Sequence, residues 1–102
     1  MKTVDYHIIA DENSRAEMNK VALDYLSRGF AVTTRYMPAI GISLSVIDAN
    51  LKAIADAERI IYVPDSDPKV GMSVSMMYEI EYATKCCSKT VYTWNSKEGC
   101  VK

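Results

Sequence analysis

Short apolar runs alternate with amphipathic stretches along the chain, and that alternation restricts the folds open to it. Residues 4–10 (Val-Asp-Tyr-His-Ile-Ile-Ala) form a nearly continuous apolar run, as a strand covered on both faces requires. The run gives way to Asp11-Glu12-Asn13-Ser14, acidic and capping residues suited to a helix start. Met18, Val21, Ala22, Tyr25 and Leu26 then recur at helical spacing, and Gly29 marks the end of that helix. Residues 30–36, rich in β-branched and aromatic side chains, read as a second strand, followed by a loop over 37–41. Ser43 or Ser45 caps a second helix with the stripe Ile47, Asn50, Leu51, Ile54 and Ala55. Residues 59–63 are again continuously apolar and read as a central strand, and 64–72 hold turn-forming residues. Ser73 or Ser75 opens a third helix, with Met76, Ile80, Ala83 and Cys87 on one face. Residues 90–94 read as a fourth strand and 95–102 as a polar tail.

The resulting β-α-β-α-β-α-β order predicts an α/β fold, a three-layer α/β/α sandwich around a four-stranded parallel sheet. Right-handed crossovers leave few topologies. Analogy with doubly wound, Rossmann- or flavodoxin-like folds gives the strand order 2-1-3-4. A chain of 102 residues predicts one domain over 1–102, and 49% hydrophobic residues suffice for one core. A domain of this size leaves much surface exposed, which makes self-association a natural supplement.

Charge and cysteine content narrow the function classes. The net charge is −1 with no basic stripe, which argues against nucleic acid as a partner. Three cysteines, two of them adjacent (Cys86 and Cys87), do not make a disulfide framework, and one of that pair reads as a small buried hydrophobe. There is no Cys-x-x-Cys pair and one histidine, so no metal site is expected. No leader and no apolar run of about 20 residues is seen, so the expectation is a reduced, cytoplasmic protein with no membrane partner. No phosphate-loop or dinucleotide fingerprint occurs, and no cofactor is expected. His7, inside the first strand, reads as a core histidine, and Met72, Met76 and Met77 as core or interface residues. Tyr78 and Tyr82 flank Glu79 and could bound a pocket or a subunit surface.

Sheets of this kind bind ligands outside the carboxyl ends of their strands, where the strand order reverses. The first and third strands flank that point. Their trailing segments, Asp11-Glu12-Asn13 and Asp65-Ser66-Asp67, concentrate acidic residues there, together with Gly71 and the start of the third helix. On that helix Glu79 falls about 60° from Met76, at the margin of the buried face, from which a carboxylate could look into a pocket. Glu81 lies about 200° further round and faces water.

The run Glu79-Ile80-Glu81-Tyr82-Ala83 resembles the signature of the nucleoside 2-deoxyribosyltransferase-like superfamily. In that group a strand ends in an acidic loop, Gly with Ser or Thr opens a helix, and Glu-Ile-Gly-Tyr-Ala follows. Lys89-Thr90-Val91 stands where the family commonly has Lys-Pro-Val, and residues 50–61 are similar to its Asp-Leu-x-x-Ile helix leading into an apolar strand. The likeness spans roughly residues 4–94. The chain differs in carrying Glu81 for the glycine, Asn50 for an aspartate, and a longer loop between Gly71 and Glu79.

The resemblance implies that Glu79 is a nucleophile. It would attack the anomeric carbon of a nucleoside or nucleotide through an oxocarbenium-like transition state, as in retaining glycosidases. Asp65 or Asp67 would assist by protonating the departing base. Asp11, Asn50, Gly71, Ser73 and Ser75 would bind substrate, the serines and the helix start offering hydroxyl and N–H groups. The family's neighbours complete one another's pockets, so a homo-oligomer is implied. Glu81 and Asn50 favour a second expectation, a catalytically silent module that binds a nucleotide-like ligand or a protein.

Overall fold

Successive strand residues point to opposite faces, and the buried residues of this chain divide into two cores accordingly. The structure, a computed structural model, describes residues 4–38, 43–65, 67 and 69–95, and the backbone alone of 99–101. The strands are β1 (Val4–Ala10), β2 (Val32–Thr34), β3 (Ala57–Val63), β4 (Thr90–Asn95) and β5 (Gly99–Val101). The helices are α1 (Arg15–Ser27), α2 (Leu44–Asp56) and α3 (Val74–Glu81). Ile8, Ala10, Ile61 and Val63 pack on one face against Met18, Val21, Ala22 and Tyr25 of α1. On the other face Ile9 and Ile60 meet Ile54 of α2 and Met76 of α3. The result is a three-layer α/β/α arrangement.

The sheet order is β2-β1-β3-β4-β5. The first four strands are parallel in the expected order 2-1-3-4, with β1 and β3 direct neighbours from Val4↔Ala57 to Ala10↔Val63. Both β1 and β3 are therefore internal, which explains the apolar runs over residues 8–10 and 60–63.

Several boundaries differ from the sequence reading. The polar tail contains a strand: β5 pairs antiparallel with β4, Trp94↔Cys100. The open edge of β4 offers backbone partners irrespective of side-chain pattern. At the opposite edge, β2 shrinks to three residues. Phe30 instead joins an aromatic cluster, edge-on to Tyr6 at a centroid distance of 5.2 Å and tilted against Tyr25 at 5.9 Å. Strand β3 begins at Ala57, directly after α2. Leu26, placed in the buried stripe of α1, is 49% exposed, and in α2 Val46 is buried while Ile47 lies at the surface margin. Cys86 is exposed and Cys87 half-buried against the second core, so neither is a fully buried hydrophobe.

Local chemistry accounts for the helix ends. Ser43 caps α2 by accepting from Val46 N, and Ser73 caps α3 by accepting from Met76 N. Gly29 closes α1 at φ +94°, a conformation glycine adopts without steric cost. Helix α3 runs into a wider π-type turn at Tyr82–Cys86. Part of the loop expected at 37–41 (residues 39–41), together with tail residues 96–98 and 102, lies outside the described residues. Among the described residues no helix is long and apolar enough to cross a membrane.

Candidate active site

Beyond the carboxyl ends of β1 and β2 the chain encloses a cavity of about 660 Å³, walled by α2 and α3. That volume lies within the usual range for small-molecule sites, roughly 300–1,000 Å³. Asp11, which follows β1, Arg35, which follows β2, and Glu79 on α3 supply charged groups to its wall.

Glu79 is 5% exposed. Its Oε2 accepts a hydrogen bond from Arg35 Nε at 2.7 Å. Its Oε1 is buried and has no hydrogen-bond partner among the described residues. The helix that carries it is fixed at its start by the Ser73 cap and beneath by fully buried Met76. Burial pushes the Glu79 carboxyl above the usual carboxylate range, and the nearby Asp11 charge adds to this, while the Arg35 hydrogen bond and charge pull it down. Arg35, 8% exposed, is held by backbone as well as by Glu79: its amide donates to Ile8 O at 2.8 Å and its Nη1 to Ala10 O at 3.4 Å.

Asp11 ties the end of β1 to the start of α3. Its Oδ2 accepts from Ser73 N at 3.2 Å and its Oδ1 from the Ser73 hydroxyl. Asn50 is 5% exposed and clamps the segment after β2. Its Oδ1 accepts from Tyr36 N at 2.7 Å and its Nδ2 donates to Tyr36 O at 3.0 Å. Both ends of the amide are thus committed to backbone. Ser75 is half-buried in the wall, and Tyr78 stands exposed at the rim.

Of the candidate residues, the cavity wall brings together Glu79, Asp11, Asn50, Ser73 and Ser75. Asp65, Asp67 and Gly71 lie outside it. The two aspartates are engaged in their own loop, Asp65 Oδ1 accepting from Asp67 N at 2.9 Å and Asp67 Oδ1 from Lys69 N at 3.0 Å. Gly71 is exposed, with nothing near the place a Cβ would occupy. Among the described residues no cluster of three or more His, Cys, Asp or Glu could hold a metal ion.

Two participants escaped the sequence reading. Arg35 falls within residues 30–36, which read as a strand, and nothing local marks it as half of a buried ion pair. Arg15 also lines the cavity, donating to Met37 O at 2.8 Å. His7 is fully buried, as expected of a core histidine, with Nδ1 2.8 Å from Thr33 Oγ1. Its Nε2 has no partner among the described residues, and burial together with the Arg35 charge lowers its pKa to about 4.

The chain matches no protein-family model, and no curated protein matches it.

Proposed function

We propose that the cavity takes a nucleoside or nucleotide and that Glu79 is the nucleophile that cleaves or transfers at its N-glycosidic bond. The observation that supports this is the asymmetry of the Glu79 carboxylate: Oε2 is held by Arg35, while Oε1 sits unpartnered in the wall of a cavity of about 660 Å³. A guanidinium on one oxygen fixes the group's orientation and favours its ionised form, leaving the other oxygen to attack. Attack of Oε1 on the anomeric carbon breaks the bond to the base, which leaves with the electron pair and takes a proton. With Asp65 and Asp67 outside the cavity, water is the proton source. Water or a second base then displaces the ester and restores the carboxylate. The same reading has the chain work in the cytoplasm as a homo-oligomer. Leu44 and Val74, the first residues of α2 and α3 and each 79% exposed, and Tyr78 at 57% offer exposed apolar side chains for such contacts.

The buried ion pair also favours a second reading, in which Glu79 is a strut joining α3 to the end of β2 and the cavity binds without chemistry. Free-base release from a panel of nucleosides and nucleotides, followed alongside calorimetric binding, decides between them. Release by the wild type that Glu79→Gln abolishes is the expected result. Binding without release assigns the silent module, and the absence of both removes the glycosidic reading.

A further inference from the structure

The start of α3 would ordinarily be a place for a ligand's anionic group, since helix N-termini present free N–H groups and a positive dipole end. Here that end already holds a carboxylate. Asp11 takes both the backbone N–H of Ser73 and its hydroxyl, and the same Ser73 oxygen accepts from Met76 N at 3.1 Å. The N-cap residue therefore has no hydrogen-bonding capacity left for an incoming phosphate.

The cations of the cavity each have a partner already, Arg35 in a buried ion pair and Arg15 on a backbone carbonyl. Two of its described lining residues carry positive charge, Arg15 and Arg35. Arg35 is paired with Glu79 at 2.7 Å and reaches Ala10 O, and Arg15 donates to Met37 O at 2.8 Å and lies 3.8 Å from Glu12. Against them stand three acidic groups, Asp11, Glu12 and Glu79. A phosphate would enter a cavity whose acidic groups outnumber its cations, with Arg35 neutralised by Glu79.

We infer that Asp11 is a specificity-determining residue, which occupies the anion position at the start of α3 and so makes the cavity select uncharged nucleosides over their 5′-phosphates. The inference rests on the glycosidic reading above and narrows its substrate class. A ligand hydroxyl is compatible with Asp11, because a carboxylate with two oxygens has acceptor capacity beyond the two bonds made to Ser73. A phosphate monoester is largely dianionic at neutral pH and meets like charge instead.

The test is equilibrium binding of the full chain to the common 2′-deoxynucleosides and to the matching 5′-monophosphates. Nucleosides are expected to bind at least about tenfold more tightly, and the preference is expected to shrink as salt rises from about 0.02 M to about 0.5 M. Asp11→Asn, whose amide oxygen still accepts from Ser73, is expected to narrow the ratio at least about threefold. Monophosphates that bind as well as nucleosides, or better, overturn this inference and leave the glycosidic reading standing. A preference that neither salt nor Asp11→Asn alters overturns the assignment to Asp11. Binding of neither class overturns both readings.

Discussion

Arg35 Nε lies 2.7 Å from Glu79 Oε2, and the two side chains, 44 residues apart in sequence, are each 7% exposed. The pair joins the segment after β2 to α3 across the cavity wall. Its worth to the fold is a balance between the cost of dehydrating two ions and their mutual attraction. Removing one member leaves the other charged and buried. Arg35→Met and Glu79→Met are each expected to cost about 3–5 kcal/mol, and the double variant much less than their sum. Urea denaturation of the four chains checks this, and additive losses would show that the two groups do not depend on each other.

Asn50→Asp exchanges a buried amide of the cavity wall for a carboxylate of the same size. The structure gives that change a cost. Asn50 Nδ2 donates to Tyr36 O at 3.0 Å, and a carboxylate would set oxygen against oxygen there. A loss of about 1–3 kcal/mol is expected, together with weaker ligand binding as the Tyr36 segment loosens. Thermal denaturation and calorimetry read the two effects, and an unchanged melting temperature would contradict the clamp.

Protonation of His7 opposes folding. Its pKa is about 4 in the folded chain against an ordinary 6.5, so the unfolded chain binds the proton more readily between those values. Stability is complete above pH 6.5 and is lost as pH falls toward 4, by up to roughly 3 kcal/mol. Glu79 acts in the opposite sense. Its carboxyl is held above the ordinary 4.5, so the folded chain keeps that proton longer and stability falls as pH rises through the window above 4.5. The difference between wild type and His7→Gln, measured by urea titration from pH 4 to 7, isolates the first effect. It is expected to rise with pH and level off above 6.5, and a flat difference would exonerate His7.

Neighbouring methionines on α3 should behave unlike one another. Met76 is fully buried in the second core, whereas Met77 is 50% exposed. Met76→Ala is expected to cost about 2–5 kcal/mol through the cavity it leaves, and Met77→Ala less than about 0.5 kcal/mol. Denaturation midpoints compare them directly. A large loss from Met77→Ala would point to a covering partner on that face.

The central strands and the sheet order were legible because β1 and β3 are covered on both faces and had to be largely apolar where they cross the core. The caps at Ser43 and Ser73 were legible to within two residues, since hydroxyl side chains at a helix start have one evident use. The likeness of residues 79–83 to a family signature singled out Glu79, since its place at the margin of the Met76 stripe suits a solvated residue equally well, and neither gave its burial. That depends on Arg35, and an ion pair spanning 44 residues leaves no local trace. The acidic loop at Asp65 and Asp67 misled for the converse reason: each carboxylate serves the turn beside it. Strand β5 was missed because three residues, Gly-Cys-Val, carry too little pattern to register, while β4 supplied the template.

Among the described residues, strand β2 pairs with β1 through three residues and has no strand on its other side. Arg35 is thus anchored at the margin of the sheet, where backbone hydrogen bonds open first. Opening of that edge would withdraw the counter-ion from Glu79, whose helix is held separately by buried Met76. Breathing of an outer ribbon is thereby linked to protonation deep in the molecule, and amide exchange at residues 32–35 measures how often that gate swings.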